Sequence, residues 1–208
     1  MWKNNLILIL YPFLFLYGVK AMEWSCASST NIGTFTRSTD CTISGSDHVD
    51  VSNTLEIVGS NEDMNNLITI TAATNQRHFY LNNANAILTL RFITLTDGNP
   101  LGNVGGAIHI DSNGGTLHLY NVLIVDNEAT LGGGIYSNKN GIINIYNTNI
   151  MNNRAIKGGG IHLEQNTIMN VYNSSISKNE ATSNGGGIYS EQNTIIEVYN
   201  STITERKI

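Results

Sequence analysis

From Gly105 onward the chain restarts four times, at residues 105, 132, 158 and 185, in steps of 27, 26 and 27 residues. A unit of that length cannot bury its own apolar side chains and must bury them against its neighbours, so the repeat fixes the architecture before any local propensity does. Superposed, the units form columns. Ile108, Ile135, Ile161 and Ile188 make one apolar column, and Leu117, Ile143, Met169 and Ile196 make a second. Two residues on, Leu119, Ile145, Val171 and Val198 make a third, with His118, Asn144, Asn170 and Glu197 between them. Alternation with a period of two, and β-branched residues on the apolar side, predicts strands with one buried face. Ile124, Ile150, Ile176 and Ile203 form a fourth column and Ala129, Ala155 and Ala181 a fifth, while a glycine cluster at each restart excludes helices.

Three short strands per unit bury their faces only if each coil stacks on the next, in register and roughly 4.8 Å apart. The expected fold is an all-β, single-stranded parallel β-helix solenoid with 26–27 residues per coil. Polar columns support the same register. Asn113, Asn140, Asn166 and Asn193 align at one corner, where asparagine tolerates the left-handed conformation of a sharp turn. Asn121, Asn147, Asn173 and Asn200, and again Asn127, Asn153 and Asn179, are expected to form amide ladders from coil to coil. Glu128, Arg154, Glu180 and Lys207 alternate in sign, which a slipped register would lose.

The Ile-x-x-Asn-x-Ala run followed by Gly-Gly-Ala/Gly-Ile resembles the polymorphic outer-membrane-protein repeat, whose pattern is Phe-x-x-Asn followed by Gly-Gly-Ala and an aliphatic residue. The matching positions are Ile124, Asn127 and Ala129 with Gly132 to Ile135; Ile150, Asn153 and Ala155 with Gly158 to Ile161; and Ile176, Asn179 and Ala181 with Gly185 to Ile188. The chain departs from the pattern in using Ile for Phe throughout and Ala only at Ala107. It is therefore also similar to the wider set of secreted right-handed β-helix proteins of pectate-lyase-like fold. The resemblance implies a right-handed solenoid, a secreted or cell-surface location, and the adhesive role of the type members.

Residues 1–21, MWKNNLILILYPFLFLYGVKA, read as a secretory signal peptide, with an apolar run too short for a span and no second apolar segment after it. No membrane span is expected after its cleavage. Residues 22–104 are expected to hold an N-terminal cap and the first, irregular coils, and residues 105–208 the regular repeats. Within the irregular part, Ile87 to Asn99 aligns with the unit at Thr116 to Asn127, Leu88 matching Leu117 and Leu95 matching Ile124. Six or seven coils follow, about 30 Å in length. Cys26 and Cys41 are the two cysteines, expected to form a disulfide in the cap; their spacing fits no common zinc pattern. A formal charge of −5 with 13% charged residues offers no basic patch for nucleic acid. No cofactor or metal is expected. The last coil leaves a strand edge, with Glu205, Arg206 and Lys207 as charged gatekeepers, which makes end-to-end self-association one candidate interaction.

Two outward aromatic columns are the candidate binding surface: His109, Tyr136, His162 and Tyr189, and Tyr120, Tyr146, Tyr172 and Tyr199. Such faces suit a glycan or a cell-surface protein ligand, although aromatic ladders also stabilise sheets by themselves. Arg91 stands in the Tyr120 column one coil earlier and is placed to cap that stack. An acidic column, Asp111, Asn138, Glu164 and Glu191, sets Glu164 and Glu191 one strand spacing apart, near the ~5 Å of a retaining glycosidase pair. Both belong to the same repeated turn, Glu-Gln-Asn-Thr, which explains them without chemistry. Asn173 and Asn200 open N-glycosylation sequons, in a column whose burial would compete with modification. The leading expectation is a secreted or cell-surface binding and adhesion scaffold. The alternatives are a carbohydrate-active enzyme of pectate-lyase-like fold using Glu164 and Glu191, and a self-associating wall or matrix component.

Overall fold

A computed structural model describes residues 22–27, 32–43 and 48–206; the signal segment expected at 1–21 and the gatekeeper Lys207 lie outside them. The described residues form three sheets, to each of which successive coils contribute strands. The first, called here the tyrosine sheet, has eight strands in the spatial order Met22–Glu23, Gly33–Arg37, Thr54–Gly59, Ile87–Arg91, Gly115–Tyr120, Gly141–Tyr146, Ile168–Tyr172 and Ile195–Tyr199. The second, the histidine sheet, has six, from Val49–Val51 through Phe79–Leu81, Ile108–Ile110, Ile135–Ser137 and Ile161–Leu163 to Ile188–Ser190. The third, the asparagine sheet, starts at Cys41–Thr42 and includes Leu123–Val125, Asn149–Met151, Ser175–Asn184 and Thr202–Arg206. Strand pairing is parallel, no helix occurs among the described residues, and the sheets close into a solenoid of about six coils.

The register is the one the columns dictate. Ile108 pairs with Ile135, Ile135 with Ile161 and Ile161 with Ile188. Leu117 sits beside Leu88 and Ile143, and Ile124 beside Leu95 and Ile150. Inward members of these columns form one continuous buried cluster running from Trp24 and Cys26 to Ile176. Each isoleucine fully withdrawn from water stabilises the coil by roughly 1.5–3 kcal/mol, which is what holds an element lacking a second layer. Coils begin earlier than the repeats: Gly33–Arg37 already pairs with Thr54–Gly59. At that end Trp24 packs on Phe79 with ring centroids 6.1 Å apart, and a disulfide joins Cys26 to Cys41.

Corners are made by residues with positive φ. Asn121, Asn147, Asn173 and Asn200 lie at 56°, 48°, 49° and 49°, and Asn140, Asn166 and Asn193 at 53°, 59° and 60°. Asn113 departs from its expected column: Gly114, at 86°, lies against Asn140, because Gly115 pairs with Gly141. The restart glycines have two distinct duties. Gly105, Gly132, Gly158 and Gly185 hold φ between 61° and 66°. The next glycine in the first three units is needed for closeness instead: a Cβ on Gly159 would lie 2.4 Å from the Glu180 carbonyl oxygen, one on Gly133 2.4 Å from that of Gly159, and one on Gly106 2.0 Å from that of Gly133. The third position is close-packed in the next two units as well, a Cβ on Gly134 lying 2.7 Å from the Gly160 carbonyl oxygen and one on Gly160 2.6 Å from that of Gly187, although Ala107 occupies it in the first unit.

One expected pairing is corrected. Glu180 stands opposite Arg206, not Lys207, and Asn179 opposite Glu205, because the register shifts between Ile176 and Asn179. The preceding rung of the charge ladder is as expected, Arg154 Nη2 lying 3.4 Å from Glu180 Oε2.

Candidate functional site

The outward residues of the tyrosine sheet form three columns. Tyr120, Tyr146, Tyr172 and Tyr199 stack with centroids 5.0 Å apart and planes within 5° of parallel. Parallel pairing in exact register, one ring per coil at nearly the strand spacing, imposes that geometry. The Arg91 guanidinium lies 3.9 Å from the Tyr120 centroid and is itself held by Glu56 at 2.8 Å, so the N-terminal end of the stack is covered. Ring faces are thereby consumed by ring faces. The expectation that these tyrosines offer open faces to sugar rings is corrected for the interior of the stack: what Tyr146 and Tyr172 present to solvent is edge and hydroxyl. Beside them Asn170 Nδ2 donates to Asn144 Oδ1 at 2.9 Å, and beyond that lie the exposed side chains of Ile142, Ile168 and Ile195.

On the histidine sheet Tyr80, His109, Tyr136, His162 and Tyr189 follow one another with centroids 4.9–5.4 Å apart, tilted rather than parallel. This column was a candidate binding face, and its middle is closed: Tyr136 is 5% and His162 0% exposed, whereas His109 and Tyr189 are half-buried. The reason is that neighbouring charged side chains fold over it. Tyr136 meets Glu164, Tyr80 meets Asp111, and Lys157 Nζ lies 5.0 Å from the Tyr189 centroid. Burial, reinforced by Glu164, pushes the Tyr136 hydroxyl far above its ordinary value. Burial lowers His109 to about 3, helped by the Arg77 guanidinium, which contacts its Nδ1. Burial lowers His162 as well, opposed by the negative charge of Glu191, so its ring is favoured in the neutral form.

The acidic corner converges on that ring. His162 Nε2 lies 3.6 Å from Glu164 Oε1 and 3.9 Å from Glu191 Oε1. Glu164 and Glu191 are held there by the coil backbone, Glu164 N donating to the Ser137 carbonyl at 2.8 Å and Glu191 N to that of Leu163 at 2.9 Å. The two carboxylates of the candidate glycosidase pair thus flank a buried imidazole. Sequence columns place Glu164 above Glu191 but do not show that His162, two residues upstream, enters between them. The signal that carries it is His-x-Glu in one unit with Glu at the aligned position of the next.

A second grouping, also missed from sequence, sits nearer the N-terminal end, where His48, Arg77, Tyr80 and His109 line a cavity of about 150 Å³. The sequon asparagines are placed differently from expectation. Asn173 and Asn200 are exposed at left-handed corners, and the buried amide ladder is the other column, Asn127, Asn153 and Asn179. Burial therefore does not stand against modification of Asn173 or Asn200.

Residues 173–191 match the family model of the Chlamydia polymorphic membrane protein (Chlamydia_PMP) repeat. That stretch contains Ile176, Asn179, Ala181 and the glycines from 185, the residues that build the asparagine sheet and the restart corner. No curated protein and no solved structure matches the chain. The repeat and the parallel solenoid together fit a surface β-helix protein.

Proposed function

We propose that this solenoid is a secreted or cell-surface binding scaffold, and that the outward face of the tyrosine sheet meets a protein on the partner surface. The observation that carries the reading is the composition of that face. Ile142, Ile168 and Ile195 are 40%, 37% and 53% exposed in consecutive coils, in register with the polar column Asn144, Asn170 and Glu197 and then a tyrosine column. Exposed apolar side chains repeated on a flat sheet mark interaction surfaces, and tyrosine is a favoured anchor there. Because the ring faces of Tyr146 and Tyr172 are already stacked, the face offers edges, hydroxyls and amides. Those suit a protein surface better than stacking on sugar rings.

The test is saturation binding of fluorescently labelled protein to intact cells and to a glycan array. Ile142→Lys/Ile168→Lys is the variant, since both side chains point outward and neither belongs to the buried cluster. Protease-sensitive cell binding that the variant loses supports the reading. Equal binding by both proteins, or binding to glycans alone, overturns it.

A further inference from the structure

We propose that His162, Glu164 and Glu191 form a divalent metal site, for zinc or a similar first-row ion, bridging two consecutive coils. One ligand atom from each of the three residues lies within 4.8 Å of the others. An ion about 2.0–2.2 Å from each ligand sets neighbouring ligand atoms about 3–3.5 Å apart, so the 3.6 and 3.9 Å separations from Nε2 need only small adjustments. The mobile partners are the right ones. Glu164 and Glu191 side chains are 24% and 38% exposed, which leaves room for their rotation and a path for the ion, while His162 is fixed at 1%.

The independent observation is the imidazole itself. His162 Nε2 is buried without a hydrogen-bond partner, and the ring also meets the Lys157 backbone. A buried polar group is normally satisfied, and Nε2 is aimed between two carboxylates at distances too long for hydrogen bonds and suited to a shared ion. One imidazole with two carboxylates is a nitrogen–oxygen set that suits zinc or manganese, whereas calcium takes oxygen ligands only. Remaining coordination positions face solvent. The arrangement is specific to this coil. At the other histidine of the column, His109 is followed by Asp111, but the next coil offers Asn138 in place of a second carboxylate, and Arg77 already contacts the ring.

This site is independent of the protein-binding face, because it is built on the histidine sheet and that face is on the tyrosine sheet. The full chain is titrated with zinc by calorimetry and its unfolding midpoint followed with and without the ion, beside Glu164→Gln/Glu191→Gln and, separately, His162→Gln. The expected result is one saturable site and a midpoint that rises with zinc concentration. In the double carboxamide variant, whose changes are at partly exposed positions, affinity falls by about 100-fold or more. Absence of saturable binding, or equal affinity in the folded double variant, overturns the proposal, whether or not His162→Gln folds.

Discussion

The carboxamide oxygen of Asn179 accepts two hydrogen bonds from Asn153, one from its backbone nitrogen at 2.9 Å and one from its Nδ2 at 3.0 Å. Asn153 repeats the arrangement with Asn127, at 3.0 and 2.9 Å, and Asn127 closes it by accepting from the Gly98 nitrogen at 2.8 Å. Each Nδ2 also reaches a carbonyl of an adjacent coil, those of Ile124 and Ile150 for Asn153 and Asn179. A corner that turns into the core thereby leaves the Nδ2 donors of Asn127 and Asn153 satisfied.

Asn153→Ala strands the Asn127 backbone nitrogen in the interior, takes one of three acceptors from the Asn127 side-chain amide, and removes the donors to the Ile124 and Met151 carbonyls. Removing one partner of buried groups costs each its desolvation, so a loss of about 3–5 kcal/mol is expected in urea unfolding. Asn153→Asp retains acceptors but loses every donor, and it is expected to be no better.

Gly159→Ala places a methyl group 2.4 Å from the Glu180 carbonyl oxygen and 2.6 Å from its nitrogen. Backbone cannot rotate aside as a side chain does, so the coils separate locally and about 3 kcal/mol is lost. Gly187→Ala meets nothing nearer than the Thr204 oxygen at 3.2 Å and is expected to lose much less. Thermal unfolding of the two variants checks the difference.

His78 is fully buried, its Nε2 3.0 Å from the Ile70 carbonyl, and burial lowers it from 6.5 to about 4. The unfolded chain takes up this proton near pH 6.5 and the folded chain only near pH 4. Stability from this group is therefore complete above pH 6.5 and falls by about 3 kcal/mol as the pH drops to 4. Denaturant titrations across that window, with His78→Gln as the variant whose slope is flatter, test the sign. Equal slopes would show that groups other than His78 govern the acid limb.

The Cys26–Cys41 disulfide spans a separation of 15 residues beside Trp24 at one end of the core. Closing a loop of that length in the unfolded chain is worth about 3 kcal/mol. Reduction is expected to lower the unfolding midpoint while leaving exchange protection of Ile143 and Ile145, far along the axis, unchanged under native conditions.

Much of this was legible because a stacked repeat turns three-dimensional neighbours into alignment columns. Ile135 beside Ile161, and Tyr120 beside Arg91, follow from counting. What counting does not give is lateral placement around one coil. Two asparagine columns look alike as strings, yet one buries its amides and the other only needs a left-handed backbone; the residue two positions on, Ala in the buried column, is the usable signal. His162 was aligned correctly, but its burial depends on side chains from the following corner closing over the strand. The final pairing of Glu180 with Arg206 turned on a one-residue irregularity that no period reveals.

Alternation along the Gly141–Tyr146 strand has an evolutionary consequence. Ile143 and Ile145 face the core, while Ile142, Asn144 and Tyr146 meet, on the outer side, their counterparts one coil away. Selection on a partner can therefore rewrite the outer letters of each repeat, coil by coil, while the inner letters continue to spell the same fold.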